Sequence, residues 1–227
     1  NWIFCYTNVM KSSILIGIDE VGRGPIAGPV AVGAFRCLPS FFDSLEIDVP
    51  LRDSKKLTKK QREKWFEYLK GEKDKGSCDF AVTMVSAEWI DKVGIVRSIQ
   101  KALDQSLKKV ASRANQNLSR FTPEGPYAMK DFDPLATLDI FLDGGLKAPS
   151  EYKNQKTVIK GDELHPVISC ASIVAKVSRD RLMDDYTKEY PEYGFENHAG
   201  YGTKAHYDAI KKHGVTVLHR KSFLKGK

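Results

Sequence analysis

Apolar and polar positions along this chain predict a sheet first and helices around it. The run Ile14-Leu15-Ile16-Gly17-Ile18 is unbroken in its apolar character, as expected of a strand buried on both faces, and it ends at Asp19 and Glu20. Residues 29–37 (PVAVGAFRC) read as a second strand. Gly22, Gly24, Pro25 and Gly28 make the connection between them turn-rich, so an antiparallel hairpin is expected. Thr58 with Gln61 three residues on forms a capping box that opens a helix, and Gly71 is the expected end. Residues 78–85 (CDFAVTMV) form a third strand, and Ser86 caps a short helical turn reaching Lys92. Val96, Ile99, Leu103, Leu107 and Val110 recur at helical spacing and predict a long amphipathic helix after Gly94. Residues 114–134, with Pro123, Gly125, Pro126 and Pro134, read as a loop or insertion. A strand at 137–142 (TLDIFL) then runs into Asp143-Gly144-Gly145, and 156–159 is a further short strand. A long helix at 166–189 stops before Pro191, and a last helix at 203–213 is closed by Gly214.

Strands and helices mixed in this order, without repeats, predict an α/β fold with a mixed central sheet flanked by helices. The expected organisation is a peripheral segment 1–13, a main domain 14–199 and a basic C-terminal helical extension 200–227 packed against it. Met10-Lys11 reads as a natural start, and residues 1–9 lack the basic region and small-residue cleavage site of a signal peptide. No apolar run approaches the roughly 18 residues that span a bilayer. Cys5, Cys37, Cys78 and Cys170 are scattered and form no CxxC pair, which argues against a zinc site or a disulfide framework. Buried structural thiols in a reducing cytoplasm are the expectation. The net charge of +7 matters through its distribution. Arg52, Lys55, Lys56, Lys59, Lys60, Arg62 and Lys64 form one basic cluster, and Lys204, Lys211, Lys212, Arg220, Lys221, Lys225 and Lys227 a second. Such clusters suit either a nucleic-acid footprint or two solvated helix faces.

Candidate chemistry concentrates in a few segments. Asp19 and Glu20 end an apolar strand, and the glycine-flanked Arg23 follows at once. Carboxylates at a strand end suit a hard divalent cation, and the glycines let backbone approach a ligand closely. Neighbours on a strand point to opposite faces, so both acids reach one ion only where the strand ends or bulges. Asp143 repeats the pattern of a strand ending in Asp before glycines. In the long helix Ser172, Lys176 and Asp180 share one face. Lys176 and Asp180 could pair with each other, or Asp180 could face the other carboxylates across a metal. Asp53-Ser54-Lys55-Lys56 is a cation-rich loop fit for phosphate, without the GxxxxGK[ST] pattern of a triphosphate loop. His165, His198, His206, His213 and His219 show no metal spacing and read mostly as surface or capping groups. Tyr201, between Gly200 and Gly202, is well presented for stacking or a sugar contact.

Taken in order, these segments resemble the ribonuclease HII family, the type 2 ribonucleases H. The resemblance rests on residues 17–25 (GIDEVGRGP), 53–57 (DSKKL), Leu142-Asp143-Gly144, Lys160-Gly161-Asp162 and 171–180 (ASIVAKVSRD). It continues through Tyr193-Gly194-Phe195, His198-Ala199-Gly200-Tyr201 and 219–223 (HRKSF), and it covers roughly residues 14–224. It implies a ribonuclease H-like fold with a catalytic, metal-binding carboxylate quartet, here Asp19, Glu20, Asp143 and Asp180. It implies two Mg²⁺ or Mn²⁺ ions and hydrolysis that leaves 5′-phosphate and 3′-hydroxyl ends. The implied substrates are RNA–DNA hybrids and duplex DNA containing ribonucleotides, hence a part in ribonucleotide and primer removal during DNA replication and repair. Gly22-Arg23-Gly24 and Tyr201 would read the junction after a ribonucleotide through its 2′-OH. Ser54, Lys55, Lys56, Ser172 and Lys176 complete the implied substrate contacts. Arg23 and the short stretch before the first strand favour this family over ribonuclease HIII, whose relatives carry a lysine-type loop and an extra N-terminal domain. The Gly144-Gly145 pair departs from the Gly-Asn of many relatives, and residues 111–135 look long for the family. No QxxΦxxFF clamp-binding peptide (Φ, aliphatic) is present at the C-terminus, and a monomer is expected.

Overall fold

The computed structural model describes residues 13–118 and 138–224. Residues 1–9, most of the 111–135 insertion, Lys225 and Lys227 lie outside the described residues. At the centre is one five-stranded sheet in the order β3-β2-β1-β4-β5. Strands β1 (Ile14–Val21), β2 (Val30–Cys37) and β3 (Cys78–Val85) form an antiparallel meander. Strands β4 (Leu138–Asp143) and β5 (Gln155–Val158) join parallel to β1. The expected hairpin is therefore present, and β1 is the one strand here with an antiparallel and a parallel neighbour.

Around the sheet are α1 (Lys59–Asp74), α2 (Ala87–Val93), α3 (Ile95–Leu118), α4 (Gly161–Leu164), α5 (Pro166–Glu189), α6 (Phe195–His198), α7 (Lys204–His213) and α8 (Lys221–Leu224). Strand alternation sorts the core into two layers. Ile14, Ile16 and Ile18 pack with Ile99, Leu103, Leu107 and Val110 of α3. Leu15 and Phe141 face the other way, with Val167, Ala171 and Val174 of α5 and Trp65 and Leu69 of α1. The same alternation puts Asp19 and Asp143 on the α5 side. α5 rests directly on strand backbone: a Cβ on Gly17 would lie 2.1 Å from the carbonyl oxygen of Val167, and one on Gly33 2.4 Å from that of Ala171. Only glycine at these two places lets α5 bring its side chains down to the end of β1.

The capping box at Thr58 and Gln61 forms, but α1 runs through Gly71 to Asp74. Gly71 costs the helix about 1 kcal/mol against alanine and does not break it; the chain turns at Gly76, where φ is +83°. α3 likewise continues to Leu118, past the start of the expected loop. Cys37, Cys78 and Cys170 are buried free thiols, as their scatter predicted. A third apolar cluster joins Ala27, Met183, Tyr193 and Phe195 to Ala209, Ile210 and Leu218, so packing is continuous across position 200. Among the described residues no helix is long and apolar enough to cross a membrane.

Candidate active site

Asp19 on β1 and Asp143 at the end of β4 meet because the two strands are parallel neighbours, with Ile18 paired to Leu142 one residue earlier. Asp162 comes from α4. Lys160 enters that short helix in a left-handed conformation (φ 56°), and the Gly161 N–H donates to an oxygen of Asp143 at 2.6 Å. Carboxylate oxygens of Asp19, Asp143 and Asp162 all lie within 4.8 Å of one another. Burial pushes the Asp19 carboxyl well above its ordinary range; a hydrogen bond from Ser172 opposes this, and the charges of Asp143, Glu20 and Asp162 add to it. Asp162 is raised by burial and by Asp143, with Lys55 opposing at 3.3 Å. Three acids face one another with a single exposed lysine beside them. That donor set, all hard oxygen and crowded in negative charge, fits a divalent cation of the Mg²⁺ or Mn²⁺ kind.

Glu20 stands apart from the three, since β1 continues to Val21 and alternation turns its side chain away. It pairs with Arg23 at 3.6 Å and still feels Asp143, which helps burial raise its carboxyl. Asp180 does not join the acids. Ser172 already occupies the place on α5 over Asp19, and Asp180 lies eight residues on, about 12 Å along the helix. Its carboxylate takes Lys176 at 2.7 Å and Arg62 at 3.7 Å. Of the expected quartet, the geometry brings Asp19 and Asp143 together with Asp162, and it places Asp180 in an ion-pair cluster with Lys176 and Arg62. Sequence reasoning did not single out Asp162, which entered only within Lys160-Gly161-Asp162. The signal available was an acid directly after Gly161, in a glycine-bearing segment as at Asp143-Gly144.

Ser54 and Ser172 do not present themselves to a substrate. Both are buried, with their hydroxyls 2.8 Å apart, so they brace Asp19 from below. The Asp53 side chain accepts from the Lys55 N–H and shapes this turn. Lys55 is exposed above Asp162, Lys56 pairs with Glu163 at 2.7 Å, and Lys176 is spent on Asp180. Much of the first basic cluster is engaged in the same way, Lys59 with Asp184 and Lys64 with Asp48.

The loop after β1 is built by two buried arginines. Arg220 donates to the carbonyls of Gly22 (2.7 Å), Arg23 (3.0 Å) and Gly28 (3.0 Å). Arg179 donates to Pro29, Ala27 and Ala199. Neither makes an ion pair among the described residues. Burial and the neighbouring Arg179 draw Arg220 down to about 9. Gly22 has φ +85°, and a Cβ there would lie 2.3 Å from Nε of Arg179, so no other residue fits. In a trans peptide the N–H points away from the C=O. With the Gly22 and Arg23 carbonyls drawn inward, the Arg23 and Gly24 N–H groups face outward, and neither has an acceptor among the described residues. Tyr201, 48% exposed, lies against this loop: its Cε1 is 3.6 Å from where a Cβ of Gly24 would be. The second basic cluster thus loses Arg220 to the interior. Three of the five histidines, His165, His206 and His219, are buried rather than on the surface.

The family model described as ribonuclease HII matches residues 16–225. A ribonuclease HII of Caldicellulosiruptor bescii is 40% identical over 211 residues, 93% of this chain and 86% of that protein. One of Endomicrobium trichonymphae is 39% identical over 208 residues, 91% of this chain and 83% of its own. Among solved structures, the ribonuclease H2 of Pyrococcus horikoshii OT3 superposes with a TM-score of 0.62 at 24% identity, covering 92% of this chain and 93% of that one.

Proposed function

The chain belongs to the ribonuclease HII family, and from that premise we propose that it is an endonuclease acting on ribonucleotides paired with DNA. It cuts the RNA strand of RNA–DNA hybrids and cuts on the 5′ side of single ribonucleotides within duplex DNA, serving ribonucleotide and primer removal. The observation that carries this reading is the convergence of Asp19, Asp143 and Asp162 at the end of the sheet.

These three carboxylates would hold the cations, and Glu20, which still feels Asp143, would join them at the rim. When bound, two such ions would supply an activated water and neutralise charge at the scissile phosphate and the leaving 3′-oxygen, giving 5′-phosphate and 3′-hydroxyl products. The residues of the chain do the rest. Ser172, backed by Ser54, and the Glu20 N–H, which donates to Oδ1 at 2.8 Å, hold the Asp19 carboxylate beside Asp143 and Asp162. The Gly161 N–H does the same for Asp143. Lys55, exposed beside the acids, meets the phosphate backbone as a point charge. The outward amides of Arg23 and Gly24 offer two donors to a ribose 2′-OH, which deoxyribose lacks. Tyr201 covers the adjoining sugar or base with its ring face. The Arg23 side chain, already 3.6 Å from Glu20, is placed to exchange that carboxylate for a phosphate.

The test is cleavage of two duplexes, one with a single ribonucleotide and one a long hybrid, each with Mg²⁺, Mn²⁺ or EDTA. Both should be cut only with a divalent cation, the first on the 5′ side of the ribonucleotide. A folded protein that cuts neither substrate with either ion would sink the proposal.

A further inference from the structure

Tyr201 is held by its backbone far more than by its ring, which is half exposed. It follows a turn in which Ala199 (φ 47°) and Gly200 (φ 83°) are both left-handed. A left-handed alanine is uncommon and persists only where its surroundings impose it. Arg179 on the Ala199 carbonyl and the Ile26 and Ala27 N–H groups on the Gly200 carbonyl hold this turn from one side, and a group of histidines that the proposed chemistry does not use holds it from the other. His198 takes the Gly200 N–H on Nδ1 (3.2 Å) and contacts the Tyr193 carbonyl through Nε2 (3.0 Å). Its ring stacks on His206 with centroids 4.5 Å apart. His206 and His219 are both buried, and their Nε2 atoms are 3.2 Å apart.

The protons in this pair follow from its fixed neighbours. The Thr216 N–H donates to Nδ1 of His219 at 2.9 Å, so that nitrogen is an acceptor and the proton of the neutral ring sits on Nε2. The Nε2–H of His219 donates to Nε2 of His206. The proton of His206 is then on Nδ1, which donates to the Tyr201 carbonyl at 2.9 Å, beside the Thr203 N–H at 2.9 Å. A chain of hydrogen bonds therefore runs from Thr216 through two imidazoles to the residue that touches the Gly22–Gly24 loop. The same segment braces the loop itself: His219 bridges to Ala27, and Arg220 beside it holds the Gly22 and Arg23 carbonyls.

We propose that the buried His206–His219 pair is a positioning device that sets Tyr201 against the Gly22–Gly24 loop and so determines the preference for single embedded ribonucleotides. This rests on the reading role of Tyr201 proposed above. The pair touches no substrate; it acts through the carbonyl of Tyr201. The measured quantity is the ratio of kcat/KM on a single-ribonucleotide duplex to that on a long hybrid. His206→Phe keeps a ring but removes the Nδ1–H, and should lower this ratio about fivefold, the scale of one lost hydrogen bond. His206→Asn restores an N–H at nearly the same place and should recover most of the ratio. In a Tyr201→Ala background, where the ring is gone, His206→Phe should lower the ratio no further. If Tyr201→Ala lowers the ratio and His206→Phe does not, the positioning role falls while the reading role stands. If Tyr201→Ala leaves the ratio unchanged, both fall. Ring-nitrogen NMR of the unaltered protein at neutral pH provides a check independent of any variant's folding. It should find Nδ1–H on His206 and Nε2–H on His219, and the reverse tautomers or charged rings would overturn the proposal.

Discussion

The two sides of the candidate site are built on opposite principles. On one side Asp19, Asp143 and Asp162 crowd together with their charges unbalanced, and burial raises the carboxyls of Asp19 and Asp162. On the other, Arg179 and Arg220 are fully buried and have no ion pair among the described residues, yet their hydrogen bonds go to six backbone carbonyls. The arginine side is complete in itself and behaves as a template. The acid side is incomplete, since carboxylates cannot satisfy one another, and an added cation or a bound proton relieves it. In the function proposed above the two would combine, a rigid reader of the sugar beside a centre that gains its full order with metal.

The strongest way to break this comparison is to discharge the acid side. Asp19→Asn, Asp143→Asn and Asp162→Asn should each lower cleavage on the order of a thousandfold or more, as loss of a group that stabilises transition-state charge does. Each should melt no lower than the parent in EDTA, because one crowded charge is gone. Asp180→Asn should stay within about tenfold of the parent. A dead Asp180→Asn beside an active Asp162→Asn would return the site to the quartet inferred from sequence.

On the template side the expected loss is in stability. Arg220→Met leaves the Gly22, Arg23 and Gly28 carbonyls without their buried donor and should cost about 3 kcal/mol in urea unfolding. Arg23→Ala, on the exposed side of the same loop, should change stability by about 0.5 kcal/mol or less. Equal losses would mean that the loop is not braced from beneath.

Dependence on pH should separate the two sides by sign. Burial raises the carboxyls of Asp19, Glu20 and Asp162, so there the folded protein binds more protons than the unfolded chain. Their contribution to stability falls as pH rises from the ordinary carboxylate range through the raised folded values. Mg²⁺ should therefore raise Tm more at pH 8 than at pH 5, and much less in Asp19→Asn. Burial lowers His206, and it lowers His219 to about 4. Stability from these two is complete above the unfolded value of about 6.5 and is lost as pH falls toward 4. Thermal melts in EDTA from pH 4 to 8 should show both slopes, and His206→Phe should weaken only the acid one. The smallest effect expected is that of Tyr201→Ala on total activity with a long hybrid, roughly threefold or less.

Which parts were legible in the sequence follows from how far each signal reaches. The hairpin, the capping box at Thr58 and the stop at Gly214 are local patterns, and each formed. Asp19 and Asp143 stood out because an acid closing an apolar strand-like run is a local pattern too, and the structure brings the two together. That Asp180 stands with Lys176 and Arg62 could not be read, because helical spacing shows which residues share a face of α5 and does not show how far along α5 the sheet end lies. That distance is set where Gly17 and Gly33 let the helix touch the strands, a contact between segments well over a hundred residues apart. The roles of Arg179 and Arg220 were hidden for the same reason. A basic residue in a basic segment reads as surface until its partners, all backbone carbonyls, are seen.

The brace between Arg220 and Gly22 spans 198 positions of the chain. A ribosome adding about 5–20 residues per second makes the second of these roughly ten to forty seconds after the first. The sheet can begin to assemble in that interval, but the loop between β1 and β2 cannot take its final shape. A nascent chain still lacking residue 220 should therefore hold its first acids in place with an unset reader, and acquire discrimination between sugars as one of the last events of its synthesis.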